Sequence, residues 1–129
     1  MRIPELFNNG KPVFSFEFFL PKAPEDIDGF LANVRDLKTL EPSFVTITYG
    51  AGGSGRGKTI ETAGRIKREL GIETACHLTC ISHTRDEISG ILETLDFLGI
   101  ENIVALRGYQ PKDETPLPAD VCGCRELTF

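Results

Sequence analysis

Strand-like and helix-like segments alternate along this chain with a nearly constant spacing. Runs rich in Phe, Val, Ile and Thr begin about every 30 residues and cover 13–19, 44–49, 74–81 and 102–108. Apolar residues recur with the period of a helix between these runs, over 23–40, 59–70 and 84–99. Such alternation places the strands parallel in one sheet with the helices packed against it. We therefore predict an α/β fold built as a βα repeat, with four parallel strands and three helices.

Each predicted strand has an apolar face and a polar face. In the first strand Phe14, Phe16 and Phe18 oppose Ser15 and Glu17. The same alternation assigns to the polar face Thr46, Thr48, His77, Thr79, Ala105 and Arg107. A sheet covered by helices on both sides would be apolar throughout. A single polar face favours the N-terminal half of a TIM (β/α)8 barrel, with the helices outside and the functional groups inside, at the carboxyl ends of the strands.

Composition excludes several classes of partner. The 129 residues have the length of one domain, with a formal net charge of −5 and a pI near 5.0, which disfavours nucleic acid. No apolar run approaches the ~20 residues that cross a bilayer, and the first residues lack the apolar core of a signal peptide. We predict a cytoplasmic protein with reduced thiols and no membrane contact. The cysteine spacing matches no common zinc site, so we predict no metal at Cys76, Cys80, Cys122, Cys124, His77 or His83.

The segment GGSGRGKT, residues 52–59, matches the phosphate-loop pattern G-x-x-x-x-G-K-[ST] between a predicted strand and a predicted helix. In such a loop Lys58 would reach the nucleotide phosphates and Thr59 would hold Mg²⁺. None of the other predicted strands ends in the Asp that these enzymes use for the metal. This counts against a phosphate loop. A P-loop nucleotide-binding hydrolase using Gly52–Thr59 is therefore kept as the alternative function, not as the first one.

Four blocks carry a resemblance to a known family: FSFEFFLPK, FVTITYGAGGSGRGKT, HLTCISHTRDEI and NIVALRG. In this order and spacing, over residues about 12–108, they resemble the flavin-dependent methylenetetrahydrofolate reductases. The resemblance implies an eight-stranded βα barrel that binds FAD at its carboxyl-terminal rim. In that family NADH or NADPH reduces FAD, which passes hydride to 5,10-methylenetetrahydrofolate and gives 5-methyltetrahydrofolate, in one-carbon metabolism and methionine biosynthesis. The family loop carries a short charged stretch, which here completes the phosphate-loop pattern by accident.

The resemblance also implies roles for individual residues. Glu17 matches the family's general acid, which protonates a folate nitrogen; that task needs a raised pKa, which a partly dry inward position supplies. The cofactor contacts that it implies are Thr48, Tyr49, Ala51, His77, Arg107 and Gly108. Tyr109 stands at a cofactor position where the family normally has Asp. A phenol replaces neither the charge nor the paired acceptors of a carboxylate, so we expect altered folate binding and flavin potential.

The βα pattern ends at Gly108, and residues 109–129 are irregular, with prolines and polar residues before the start of a helix. An eight-unit barrel takes about 250 residues. We therefore expect 1–129 to be a partial catalytic barrel domain, with 109–129 its truncated end. A four-stranded sheet leaves unpaired edges. We accordingly expect the isolated chain to bind FAD weakly and to show little reductase activity, or to act as a homo-oligomer or with a complementing half-barrel.

Overall fold

The computed structural model describes residues 1–49, 56–80 and 83–106. The strands are β1 (Ser15–Phe18), β2 (Phe44–Ile47), β3 (Thr74–Thr79) and β4 (Asn102–Leu106). The helices are α1 (Ile27–Leu37), α2 (Arg56–Arg65) and α3 (Arg85–Phe97). A π-helical turn, Ile66–Leu70, continues α2, and 3₁₀ turns cover Ile3–Asn9, Pro24–Asp26 and Lys38–Leu40. Within these residues, no helix is long and apolar enough to cross a membrane.

The four described strands form one parallel sheet in the order β1-β2-β3-β4. One row across the sheet runs through Phe18, Ile47, Cys76 and Ile103. The order never reverses, and right-handed crossovers therefore put all three helices on the same side of the sheet. A doubly wound sheet would reverse its order and place helices on both sides. The predicted α/β fold with the strand order of a TIM-type half-barrel is confirmed.

The hydrophobic core lies between the helices and one face of the sheet. The buried members from β2 and β3 are Val45, Ile47, Cys76 and Leu78. The helices contribute Leu31, Val34, Ile60, Ala63, Ile66, Ile88, Ile91 and Leu95. Cys76 and Cys80 are both buried, and burial raises the pKa of the Cys76 thiol to about 12. Both side chains pack as small apolar groups beside the core.

The first residues of the chain cover the end of the sheet at which the strands begin. The backbone N–H of Ile3 donates to Oδ1 of Asn102 at 2.9 Å, while Nδ2 of Asn102 donates to the carbonyl of Met1 at 2.8 Å. The same Nδ2 donates to Glu73 at 3.0 Å, and Lys67 pairs with Glu73 at 2.9 Å. Asn102 begins β4, so these contacts cover the end of the sheet opposite the strands' carboxyl ends. These contacts of the N-terminal segment were not predicted from the sequence.

Candidate functional site

The polar face of the sheet lies opposite the helices, as predicted for β1, β2 and β3. Glu17 is the register partner of Thr46, which in turn pairs with Ala75 of β3. His77 lies two residues further along β3 and therefore projects from the same face. In a βα barrel the sheet face opposite the helices lines the interior, and we call this face the concave face. The helices α1, α2 and α3 pack on the opposite face of the sheet.

Glu17 and His77 meet on the concave face. Oε2 of Glu17 lies 3.5 Å from Nε2 of His77, although the two residues are 60 positions apart and on non-adjacent strands. His77 is 8% exposed, whereas the Glu17 side chain is 54% exposed. The described residues thus bury the imidazole but do not provide the dry surroundings that the sequence predicted for the carboxyl group. The pair can still share or pass a proton between the two side chains.

Burial lowers the pKa of His77, because desolvation disfavours the imidazolium, and the charge of Glu17 opposes this effect only in part. The unfolded chain, with a His pKa of about 6.5, then binds more protons than the folded one just below that pH. Stability therefore falls as the pH drops from about 6.5 through the lower pKa of the folded state.

The titration of His77 gives a testable prediction. We expect His77→Gln to remove part of the loss of stability between about pH 7 and about pH 5.5. Glu17→Gln should enlarge that loss, because it removes the charge that favours the imidazolium. Urea unfolding of the three proteins at both pH values measures this. An equal loss in the parent and in His77→Gln would show that His77 does not titrate in this way.

Thr46 leaves a buried polar atom unsatisfied on the concave face. Its residue is 8% exposed, and Oγ1 has no hydrogen-bond partner among the residues that the structure describes. Leaving a buried hydroxyl unpaired costs about 1–3 kcal/mol. Thr46 is also the strand neighbour of Glu17. The concave face therefore presents an acid, an imidazole and an unsatisfied hydroxyl, which together suit a polar heterocyclic ligand.

Thr48 and Tyr49 follow β2, and their side chains are directed to opposite faces of the sheet. The backbone N–H of Thr48 donates to the carbonyl of Phe18 at 3.0 Å. Tyr49 is buried in the hydrophobic core, and its hydroxyl lies 3.2 Å from Nε2 of His83. The phenol therefore belongs to the helix side, and any contact of Tyr49 with a ligand on the concave face is made by its backbone. His83 itself is a buried residue that the sequence singled out only as a conceivable zinc ligand.

The faces predicted for β4 are wrong. Val104 is the register partner of His77, and Leu106 is the partner of Thr79, so both lie on the concave face. Ala105 instead pairs with Leu78 on the helix side. The alternation in the sequence predicts the reverse, with Ala105 and Arg107 on the polar face and Val104 and Leu106 opposite them. Arg107, Gly108 and Tyr109 lie outside the described residues, as do Ala51, Cys122 and Cys124.

The described part of the glycine-rich segment lends no support to a nucleotide site. Gly57, Lys58 and Thr59 lie in the first turn of α2. Thr59 is buried, and its hydroxyl donates to the carbonyl of Thr48 at 3.3 Å, so that it is already engaged within the protein. Lys58 is exposed. Residues 52–55 lie outside the described residues. Elsewhere in the described ranges, no group of three or more His, Cys, Asp or Glu side chains is placed to hold a metal ion.

The fold and the concave face together define a βα-barrel type of protein with a polar site inside the curve of its sheet. The family model for methylenetetrahydrofolate reductase matches residues 2–127, and the chain belongs to this family. It is similar to methylenetetrahydrofolate reductase (NADH) 1 of Zea mays, with 39% identity over 110 residues, which is 85% of this chain and 18% of the relative. It is 43% identical to the 5,10-methylenetetrahydrofolate reductase of Salmonella typhimurium over 97 residues, 75% of this chain and 33% of the relative. The chain thus spans between about a fifth and a third of the length of these relatives.

Proposed function

We propose that this chain forms the N-terminal part of the catalytic barrel of a methylenetetrahydrofolate reductase. The reaction would convert 5,10-methylenetetrahydrofolate to 5-methyltetrahydrofolate with NADH or NADPH as the reductant, in one-carbon metabolism and methionine supply. Membership of the family supports this proposal. The structural observation that carries it is the meeting of Glu17 and His77 on the concave face beside the unsatisfied hydroxyl of Thr46.

The residues of the concave face fit a flavin. A flavin ring has polar edges with donors and acceptors, and it would satisfy a buried hydroxyl such as that of Thr46. When bound, FAD supplies the hydride chemistry between the nicotinamide and the folate. His77 and Thr48 would contact it from the concave face, and Tyr49 would do so through its backbone. The resemblance adds Ala51, Arg107, Gly108 and Tyr109 to the proposed cofactor set, with the guanidinium of Arg107 suited to an anionic cofactor group.

Glu17 would act as the proton donor. Its carboxyl group lies at the rim of the concave face and within 3.5 Å of the imidazole of His77. We propose that it holds a proton at Oε2 and delivers it to a folate nitrogen, which opens the five-membered ring so that the one-carbon unit accepts hydride. His77, with its lowered pKa, would stay neutral near pH 7 and add no competing positive charge beside the acid.

We propose a cytoplasmic protein that acts on a small-molecule folate and has neither nucleic acid nor membrane as a partner. Among the described strands, β1 and β4 each pair on one side only. The unpaired backbone on these edges supports association with a second copy or with a complementing half-barrel.

Flavin titration tests this function on the 129-residue chain. We expect FAD to bind, with quenching of its fluorescence, but weakly and with little turnover of NADH with menadione as the acceptor, since four strands enclose a site on one side only. His77→Ala should weaken binding by about tenfold, because it removes a buried polar group that lies 3.5 Å from Glu17 on the concave face. No quenching at any accessible FAD concentration would contradict the proposed cofactor. Tight stoichiometric binding with rapid menadione reduction would contradict the expected weakness of the isolated chain.

A further inference from the structure

We propose that His83 is a positioning residue for the cofactor site, and that it acts by holding Tyr49 and the end of β2 against the start of α3. The proposal deepens the proposed function and rests on it for its link to the flavin. His83 takes no part in the chemistry described above. It lies on the helix side of the sheet, beside the strand ends where the proposed cofactor contacts begin.

The contact between Tyr49 and His83 is well defined. Both residues are buried, and the hydroxyl of Tyr49 lies 3.2 Å from Nε2 of His83. Their rings also meet edge to face, with centroids 6.1 Å apart and an angle of 75° between the ring planes. The two residues are 34 positions apart and follow different strands. This side-chain pair therefore joins the end of β2 to the segment that follows β3.

Neighbouring groups orient the imidazole. Nδ1 of His83 lies 3.8 Å from Oε2 of Glu87, in the first turn of α3. A carboxylate on that side favours the proton on Nδ1, which leaves Nε2 to accept from the hydroxyl of Tyr49. The backbone N–H of His83 donates to the carbonyl of Cys80 at 3.3 Å. Glu87 is in turn held by a capping box with Thr84, so the imidazole is anchored to the start of a helix.

Tyr49 is linked to the concave face through the backbone of the preceding residue. Its neighbour Thr48 donates from its backbone N–H to the carbonyl of Phe18 and accepts from the hydroxyl of Thr59. Thr48 is thereby tied to β1, which carries Glu17, and to α2. Losing the anchor at Tyr49 would loosen the backbone at Thr48 and disturb the ligand contacts that we propose there. This is the sense in which His83 positions the site without touching it.

Hydrogen exchange tests the anchor without any ligand. We expect His83→Ala and Tyr49→Phe each to speed exchange of the peptide that contains Thr48 by about threefold to tenfold, the effect of losing one hydrogen bond. A peptide at the opposite end of the sheet, around Asn102, should be unchanged. Asp86→Ala is the matched control, because it removes an exposed acid from the first turn of α3 next to Glu87. An increase in exchange throughout the chain would overturn the proposal, and so would an unchanged exchange rate in the peptide that contains Thr48.

A tyrosine signature reports the hydrogen bond itself. The chain has no Trp and two Tyr, so Tyr49 contributes visibly to its near-ultraviolet absorption. A phenol that donates a hydrogen bond absorbs at longer wavelength than one that does not. His83→Ala should therefore shift the tyrosine band to shorter wavelength, and His83→Gln, which can still offer an acceptor, should restore part of the shift. An unchanged band in His83→Ala would show that the imidazole does not accept from Tyr49.

Flavin affinity then tests the consequence for the site. We expect His83→Ala and Tyr49→Phe each to raise the Kd for FAD by about threefold to tenfold, and the double variant to raise it no further, because the two residues act as one unit. Additive effects, or a Kd equal to that of the parent, would overturn the positioning role. If the parent chain binds no FAD, the proposed function fails, whereas the exchange and absorption results still decide whether His83 anchors Tyr49.

Discussion

Replacing Glu17 by glutamine is expected to abolish folate reduction while leaving the transfer of electrons from NADH to the flavin almost intact. The amide keeps the shape of the side chain and its place 3.5 Å from His77, but it has no proton to deliver at the required step. General acid catalysis by a positioned group contributes about 10²–10⁴-fold, so formation of 5-methyltetrahydrofolate should fall by that factor. NADH oxidation with menadione as the acceptor does not need the folate proton and should change by about twofold at most.

The measurement is best made on a hybrid in which this chain replaces the aligned segment of the Salmonella typhimurium reductase. The hybrid supplies the rest of the barrel and retains every described residue of the concave face. Glu93→Gln is the matched control, because Glu93 is an exposed acid on α3, away from that face. Equal loss of the folate and menadione activities in Glu17→Gln would count against the role as acid.

The largest effect on stability is expected at Ile47. This residue is 0% exposed and packs between the sheet and the helices, so Ile47→Ala should cost about 2–5 kcal/mol of the free energy of unfolding. Ile103 provides a matched control. It lies on the other side of Cys76 in the same row of the sheet but is 37% exposed.

We expect Ile103→Ala to cost less than about 1 kcal/mol, because little apolar surface is removed from a protected site. Urea unfolding of the parent and the two variants measures both changes. Similar losses at the two positions would contradict the packing described here, in which the helices cover β2 and β3 far better than β4.

The periodicity of the sequence was sufficient to predict the sheet. Alternation in the first three strands assigned Glu17, Thr46 and His77 to one face, because side chains of a strand must alternate and the core accepts only the apolar set. It failed for β4, where Val104 and Leu106 are on the concave face. An apolar residue on a strand near the edge of the sheet can lie on either side, so the pattern there did not fix the faces.

Contacts that depend on distant partners were not predictable in the same way. The parity of Val45 and Ile47 already implied that the phenol of Tyr49 points toward the helices, but nothing local indicated that His83 would meet it. The same holds for Asn102, whose amide binds the N-terminal segment across 99 positions of sequence. The helix α2 begins at Arg56, three residues before the predicted start. The prediction was late because the glycine-rich pattern was interpreted as a loop as far as Lys58.

We propose that the concave face, and not the glycine-rich segment, holds the cofactor. FAD titration of the parent chain, of His77→Ala and of Lys58→Ala tests it most directly, with Mg-ATP as the competing ligand. We expect His77→Ala to weaken FAD binding by about tenfold. Lys58→Ala should leave it nearly unchanged, and Mg-ATP should not compete. Binding of Mg-ATP that is lost in Lys58→Ala, with no effect of His77→Ala on FAD, would contradict the account.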